Sequence, residues 1–269
     1  MAIDSHTQLP KQILRHFRDP ESGLVWYLNL TDGRIHRTSS RKLGTIAGYY
    51  SADMEQYLCK TVESNLGEFW ADISDFANGK VNSVTVYESK EAVVKQYAKS
   101  LIARSDYLMK TFEAKSLTAT LCSSQENHDD LVRSLLNGNN KANRYIDQLQ
   151  IAYLSNQTPQ YFVVPKNGYY CVKSKGHDHI IIPVSPTFAF ILRPSEDISY
   201  DKSGAVIHNY RIDDKSDIYE FNLHALQFEY ALNKDFVAGA RKDELEALIP
   251  FLEKHREGLE QQRNKLAEE

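Results

Sequence analysis

Residues 53–80 constrain the fold of this chain more than any other stretch. Its large apolar side chains recur at spacings of three and four positions: Tyr57, Leu58, Val62, Leu66, Phe69, Trp70, Ile73 and Phe76. This spacing predicts a long amphipathic helix with one buried stripe. Ser51 or Asp53 can cap the helix start, and Gly79 can adopt the left-handed conformation that ends it. A helix of about 25 residues is roughly 35 to 40 Å long, enough to cross a domain.

The other patterns predict an α+β fold in which residues 1–269 form a single domain. Its first part, residues 1–50, contains a leading helix at 8–18 and a β-hairpin around Asp32-Gly33, a dipeptide typical of tight turns. The predicted helical core, residues 51–158, adds a short strand within 81–90 and a second long helix that begins at Glu88 or Ser89 and runs to about residue 115. Shorter helices are predicted at 129–136 and 142–154.

The pattern changes at Pro159. Short runs rich in β-branched and aromatic residues, separated by glycine and proline, predict a C-terminal antiparallel sheet or meander within a β-rich part at 159–216. We expect a polar loop or irregular hairpin at 195–216. Helical patterns return at 218–233 and from 241 to the end, so C-terminal helices are predicted for 217–269.

Composition and charge exclude few functions. The formal net charge is -4, so nucleic acid would have to meet a local basic patch rather than the overall charge. Cys59, Cys122 and Cys171 are far apart, which argues against a disulfide framework or a thiolate zinc site. No apolar run approaches the ~18 residues of a membrane span, and the amino terminus lacks an apolar signal-peptide core. We therefore expect a cytoplasmic protein with no membrane partner.

Several segments along nearly the whole chain carry a family likeness. They are the opening LPKQILRHF, the hairpin LVWYLNLTDGRIHRTS, the Tyr49-Tyr50 loop, the helix with Glu63, the apolar helix that ends at Arg104 and Ser105, residues 162–168, Pro183-Val184-Ser185-Pro186 and Phe221-Asn222. In this order they resemble the motifs of a bacterial family, domain-of-unknown-function family 4238. The resemblance implies a prokaryotic or phage-borne cytoplasmic protein of a kind met in mobile and defence-related gene neighbourhoods.

The resemblance implies four polar residues as candidates for a catalytic cleft: Glu63, Arg104, His6 and Asn167. Two of them depart from the family pattern. The family histidine falls on Thr7, one place after His6, and the family aspartate falls on Lys166, which leaves Asn167 as the matching amide. From residue type alone, we favour Glu63 and Arg104 as a buried ion pair that joins two long helices, because buried charges need partners.

The predicted hairpin and its exit combine positive charge with aromatic side chains. The candidate nucleic-acid-binding residues are Arg34, Arg37, Arg41, Lys42 and Tyr50, with His36, Trp26, Tyr27 and Tyr49 nearby. Cations that contact phosphates and rings that stack on bases are typical of nucleic-acid or nucleotide sites. Basic residues that protect an edge strand from pairing would give the same pattern.

Three acidic or histidine patterns are weaker candidates for metal binding. Glu88-Ser89-Lys90, with Asp72 and Asp75, superficially resembles the carboxylates of metal-dependent nucleases, but Ser89 is better interpreted as a helix cap. His177-Asp178-His179 places two imidazoles on one face of a strand without a third ligand nearby. Glu126, His128 and Asp129 have the same weakness. No phosphate loop, nucleophile elbow or His-Glu-x-x-His motif occurs in the sequence.

Two functions therefore stay open, and cofactors are unknown. The first is a defence- or toxin-type effector, such as a nuclease, that acts on nucleic acid or nucleotides, with the basic hairpin binding phosphate. The second is a non-catalytic sensor or scaffold that binds a partner protein through the β-rich face and the polar C-terminal helix.

Overall fold

The computed structural model describes residues 4–6, 9–47, 49–81, 88–105, 125–138, 140–174, 176–195 and 209–268. Their α-helices are α1 (Lys11–His16), α2 (Ala52–Leu58), α3 (Ser64–Ala77), α4 (Glu88–Ala103), α5 (Gln125–Asn137), α6 (Lys141–Gln148), α7 (Lys215–Leu232), α8 (Lys242–Glu246) and α9 (Ile249–Glu268). Their strands are β1 (Asp4–His6), β2 (Val25–Asn29), β3 (Arg34–Thr38), β4 (Thr45–Ala47), β5 (Gln150–Asn156), β6 (Val164–Pro165), β7 (Tyr170–Ser174), β8 (His177–Ser185), β9 (Phe188–Arg193), β10 (Asn209–Ile212) and β11 (Phe236–Gly239). The predicted α+β fold is confirmed. Within these ranges, every helix is too short or too polar to cross a lipid bilayer.

The predicted long helix at 53–80 is present with both of its predicted ends. The hydroxyl of Ser51 accepts a hydrogen bond from the Met54 amide at 3.1 Å, and Gly79 ends the helix with a φ of +71°. Six of the eight residues of its predicted apolar stripe are buried, and Tyr57 and Trp70 are half-buried. The sequence pattern missed a π-helical turn, Cys59–Glu63, which joins α2 to α3. Single π turns inside α-helices recur at functional sites.

The strands form three sheets. A five-stranded sheet has the order β10-β5-β9-β8-β7, and a four-stranded sheet has the order β3-β2-β11-β6. Strands β1 and β4 form a separate pair. The predicted hairpin is present as β2 and β3, but β11 pairs with β2. The N-terminal hairpin and a strand from the C-terminal part of the chain therefore share one sheet.

One assignment in the second half of the chain was wrong, and two strands were not predicted. Residues 149–154, assigned to a helix, include most of β5, and β10 lies inside the predicted loop. Strand β11 had not been predicted at all. Both neighbours of β5 are strands and six of its seven residues are buried, so its sequence lacks the alternation that identifies a half-exposed strand. Residues 82–87 of the predicted strand and the predicted helix beyond residue 105 lie outside the described residues.

Two large apolar cores lie on opposite faces of the sheets. Alternate residues of β8 divide between them, because successive side chains of a strand point to opposite faces: Ile180 and Ile182 belong to the core that contains α3 and α4, and Ile181 to the core that contains α7 and α9. A smaller third core packs α2 against α5 and the end of α4. The end of α4 is therefore enclosed by protein, which sets the surroundings of Arg104.

Candidate functional site

An ion pair joins the long helix to the residue that follows α4. Nη1 of Arg104 lies 3.3 Å from Oε1 of Glu63, and Arg104 Nε lies 3.4 Å from the carbonyl oxygen of Ser100. The π turn ends at Glu63 and α4 ends at Ala103. The two residues predicted to pair are thus in contact, as a hydrogen-bonded ion pair.

The two partners of this pair differ in exposure. The side chain of Arg104 is 2% exposed, whereas that of Glu63 is 18% exposed. Arg104 is therefore a buried cation whose counter-ion lies at the edge of solvent. A buried guanidinium without a carboxylate would carry a large desolvation cost, so the pair is a requirement of the fold as well as a candidate reacting group.

Two buried polar atoms have no hydrogen-bond partner among the described residues. One belongs to the ion pair, Nη2 of Arg104, and the other is the hydroxyl of Tyr97 in α4. Tyr97 and Arg104 are seven positions apart and so lie on the same side of the chain at the end of α4. Burial raises the pKa of Tyr97, which keeps its hydroxyl neutral and available as a donor. Unsatisfied buried donors are rare in native proteins and call for an explanation.

Asn167 approaches the same region from the turn between β6 and β7. Its Oδ1 accepts a hydrogen bond of 3.3 Å from the hydroxyl of Ser105, the residue after Arg104. The turn needs a glycine at the next position, because Gly168 has a φ of +76° and a Cβ there would lie 2.9 Å from Leu101 of α4. Asn167 is thus hydrogen-bonded to the residue that follows Arg104, the partner of Glu63.

Glu229 of α7 belongs to this cluster and was missed by the sequence analysis. Its Oε2 accepts hydrogen bonds from the backbone amide of Asn167 at 3.2 Å and from Asn167 Nδ2 at 3.0 Å, and its Oε1 accepts one from Asn233 Nδ2 at 3.1 Å. The side chain is fully buried. Burial raises its pKa to about 8, partly offset by the hydrogen bonds from Asn233 and Asn167.

A sequence signal for Glu229 did exist. The residue follows Asn222 by seven positions within the apolar run of the predicted helix, so both polar side chains fall on its buried face. Asn222 is also buried and bonded, because it accepts from the Val163 amide at 2.9 Å. A carboxylate on the apolar stripe of a helix calls for a buried partner.

His6, the fourth predicted site residue, lies in β1, where it pairs with Thr45 of β4. The side chain of His6 is outside what the structure describes. Its relation to Glu63 and Arg104 therefore stays a prediction.

The candidate nucleic-acid residues do not form one surface. Arg34 and Arg37 are exposed on the edge strand β3, but they are three positions apart and therefore point to opposite faces of the sheet. Arg37 lies over the Trp26 ring, 5.3 Å from its centre. Arg41 and Lys42 are exposed in the turn after β3. Tyr50 is fully buried in the third core, so its ring has no face on which a base could stack.

The weaker metal candidates gain no support. Across the described side chains, no three or more residues of the types His, Cys, Asp and Glu are grouped to hold a metal ion. Asp75 forms an exposed ion pair with Lys80 at 3.0 Å. The side chains of Asp72, Glu88, Lys90, Glu126 and His128 lie outside the described part of the chain.

The unequal burial of Glu63 and Arg104 leads to the first prediction. Glu63→Gln leaves a buried guanidinium without its counter-ion and should lower the free energy of unfolding by about 3 kcal/mol. Arg104→Met leaves a carboxylate that water can reach and should cost only about 1 kcal/mol. Urea unfolding of both variants measures the difference. Asp75→Asn breaks the exposed pair with Lys80 and serves as the control, with less than about 0.5 kcal/mol expected. Equal losses in the first two variants would contradict this account.

Glu229 should make stability depend on pH. Its folded pKa of about 8 lies above the value of 4.5 for an unperturbed glutamate, so the stability that it contributes is fully present below pH 4.5 and is lost as pH rises through 8. Relative to Glu229→Gln, which cannot ionise, the wild type should lose roughly 3 kcal/mol of unfolding free energy between pH 5 and pH 8. Urea unfolding across this range measures the difference, and parallel curves would show that Glu229 does not titrate there.

Comparison of the chain with protein-family models, with curated proteins and with solved structures gives no match in any of the three. The resemblance to family 4238 therefore stays a prediction.

Proposed function

We propose that this chain is a cytoplasmic effector that acts on phosphate groups of nucleic acid or nucleotides at the cluster around Arg104. One observation carries the proposal: Arg104 is buried, yet its Nη2 has no hydrogen-bond partner among the described residues. The planar guanidinium group is the side chain best matched to phosphate oxygens. A substrate phosphate would satisfy the open donor.

The open atoms at Arg104 are hydrogen-bond donors, so they fit a ligand with acceptor oxygens. Nη1 and Nε of Arg104 are already occupied by Glu63 and Ser100, which fixes the plane of the guanidinium before a ligand arrives. The Tyr97 hydroxyl adds a second open donor. Hydrogen bonds to charged groups gain strength where water is excluded, so few donors are needed to bind a phosphate here.

Glu63 has the properties of a general base in the same reaction. Part of its side chain reaches solvent, and a positioned carboxylate can accept the proton of an attacking water molecule. In hydrolysis, the water oxygen would form a bond to phosphorus, Glu63 would take the proton, and the bond to the leaving oxygen would break. Solvent would then protonate the leaving oxygen. Exposed Arg34, Arg37 and Lys42 would contribute positive charge that attracts the substrate.

The proposal predicts that effector activity depends on Glu63 and on the shape of the Arg104 side chain. Wild type, Glu63→Gln, Arg104→Lys and the control Asp75→Asn are expressed in a bacterial host. Growth, phage resistance, nucleic-acid integrity and nucleotide pools are then measured. We expect growth arrest or phage protection, with breakdown of nucleic acid or nucleotides, for wild type and Asp75→Asn only. Arg104→Lys keeps the positive charge opposite Glu63 but loses the planar fork, so it tests function with the least change in stability.

Soluble protein levels and melting temperatures of the four proteins show whether a loss of activity is a loss of folding. Full activity in folded Glu63→Gln and Arg104→Lys would overturn the proposal. Intact nucleic acid and unchanged nucleotide pools in cells that express the wild type would overturn it as well.

A groove between α7 and α9 favours a second candidate function, attachment to a partner protein without catalysis. The groove has a volume of about 500 Å³ and is lined by Cys171, His224, Gln227, Phe228, Ala231, Leu232, Gln262 and Leu266. A lining of apolar side chains with a few polar ones fits an amphipathic helix of a partner. On this alternative, Leu232→Arg abolishes co-purification of a partner from the native host, whereas Arg104→Lys retains it. Wild-type protein that purifies without a partner would contradict this alternative.

A further inference from the structure

Asn167 is held by two hydrogen bonds to a single oxygen atom. Its backbone amide and its side-chain Nδ2 both donate to Oε2 of Glu229, at 3.2 and 3.0 Å. Two donors from one residue on one acceptor restrict both the backbone and the side-chain torsions of that residue. The carboxamide oxygen of Asn167 is thereby turned away from Glu229 and towards Ser105.

The contact between Asn167 and Ser105 lies at the point where α4 ends. The amide of Ser105 donates to the Ile102 carbonyl oxygen at 3.1 Å, and its hydroxyl donates to Asn167 Oδ1 at 3.3 Å. A last helical turn without a tertiary contact frays easily. The side-chain contact of Ser105 therefore restrains the backbone that carries Arg104.

We propose that Glu229 is the positioning residue of this cluster: through Asn167 and Ser105 it holds the end of α4 so that the guanidinium of Arg104 faces its ligand. This inference rests on the proposed function, because it assigns Glu229 a role in a site that binds phosphate. The described hydrogen bonds of Glu229 go to Asn167 and Asn233 and not to Arg104, so its effect passes through the position of α4.

The surroundings of Glu229 fit a neutral carboxylic acid. Lys166, the cation that acts on it, is paired with Asp235 at 2.6 Å, and Asp235 opposes ionisation of Glu229. Oδ1 of Asn233 is buried without a hydrogen-bond partner among the described residues. If the Asn233 carboxamide is turned over, Oδ1 takes the place of Nδ2, 3.1 Å from Glu229 Oε1. A proton on Oε1 would then be donated to this oxygen, and Nδ2 would take the buried position that Oδ1 leaves.

A neutral Glu229 predicts that glutamine can replace it. Glutamine keeps one carbonyl oxygen for the two donors of Asn167, and its amide can donate to Asn233 Oδ1. Alanine at position 229 removes the acceptor and leaves two buried donors of Asn167 unpaired. Asn222→Ala is the matched control, because Asn222 is a buried, hydrogen-bonded residue of the same helix that does not touch Asn167.

The first measurement is backbone amide hydrogen exchange, which needs no substrate. Glu229→Ala should accelerate exchange at Arg104 and Ser105 by at least tenfold relative to Asn222→Ala, and Glu229→Gln should restore wild-type rates. Equal exchange at these two amides in Glu229→Ala and Asn222→Ala would overturn the positioning role.

The second measurement is the affinity for inorganic phosphate, determined by titration calorimetry at several pH values from 6.5 to 9. Glu229→Ala should weaken phosphate binding at least fivefold, with Glu229→Gln close to wild type at low pH. Above pH 8 the wild type should bind less tightly than Glu229→Gln, since only the wild type can ionise at this position. Superimposed pH profiles would overturn the inference.

Phosphate binding by Arg104→Lys distinguishes a failure of the proposed function at Arg104 from a failure of the positioning role of Glu229. Weaker binding in Arg104→Lys but not in Glu229→Ala would leave the proposed function standing and overturn the inference about Glu229. Binding that is equal to wild type in Arg104→Lys would overturn the proposed function, whatever the exchange rates show for Glu229→Ala.

Discussion

The burial of one arginine side chain sets the arrangement of the elements around it. Arg104 is 1% exposed, and a buried guanidinium is tolerated only where a carboxylate and further hydrogen bonds replace water. Glu63 supplies the carboxylate from 41 positions earlier in the chain. The π turn that ends at Glu63 must therefore contact the end of α4. This contact restricts how the long helix and α4 pack against each other.

The polar groups continue from Arg104 through the protein as a connected series. Ser105, Asn167, Glu229 and Asn233 link the end of α4, the β6–β7 turn and the end of α7. Such a network is stable only where its members are satisfied, because a single unpaired group in a low-dielectric interior is costly. Atoms without partners among the described residues lie towards its two ends, at Arg104 and Tyr97 on one side and at Asn233 on the other. A ligand would satisfy the atoms at the first end.

The sequence pattern predicted the elements that are determined by interactions between residues close together in the chain. The periodicity of the long helix, its cap at Ser51 and the turn at Gly33 depend on residues a few positions apart, and all three are present. Strand β5 and the pairing of β11 with β2 depend on contacts between distant segments, which periodicity does not encode. The same holds for the residues of the candidate site, of which some were predicted from the sequence and one was not. The family resemblance and residue type pointed to Glu63, Arg104 and Asn167, whereas Glu229 was missed and was found from its hydrogen bonds to Asn167. Sequence proximity also grouped Arg34 with Arg37, which strand alternation separates.

Stability alone gives a weak reason for this arrangement. Replacing a buried ion pair by apolar side chains of similar volume is often neutral or stabilising, and an apolar residue at position 104 would leave no open donor in the core. A chain under selection for folding only would thus gain little from a guanidinium there, and still less from a carboxylic acid buried at Glu229. Two costly groups, connected through Ser105 and Asn167, are better explained by a use for the open donor of Arg104. The partial exposure of Glu63 indicates the side from which a ligand would approach. Glu63 is the member of the ion pair that reaches solvent, so a ligand and a water molecule can arrive there.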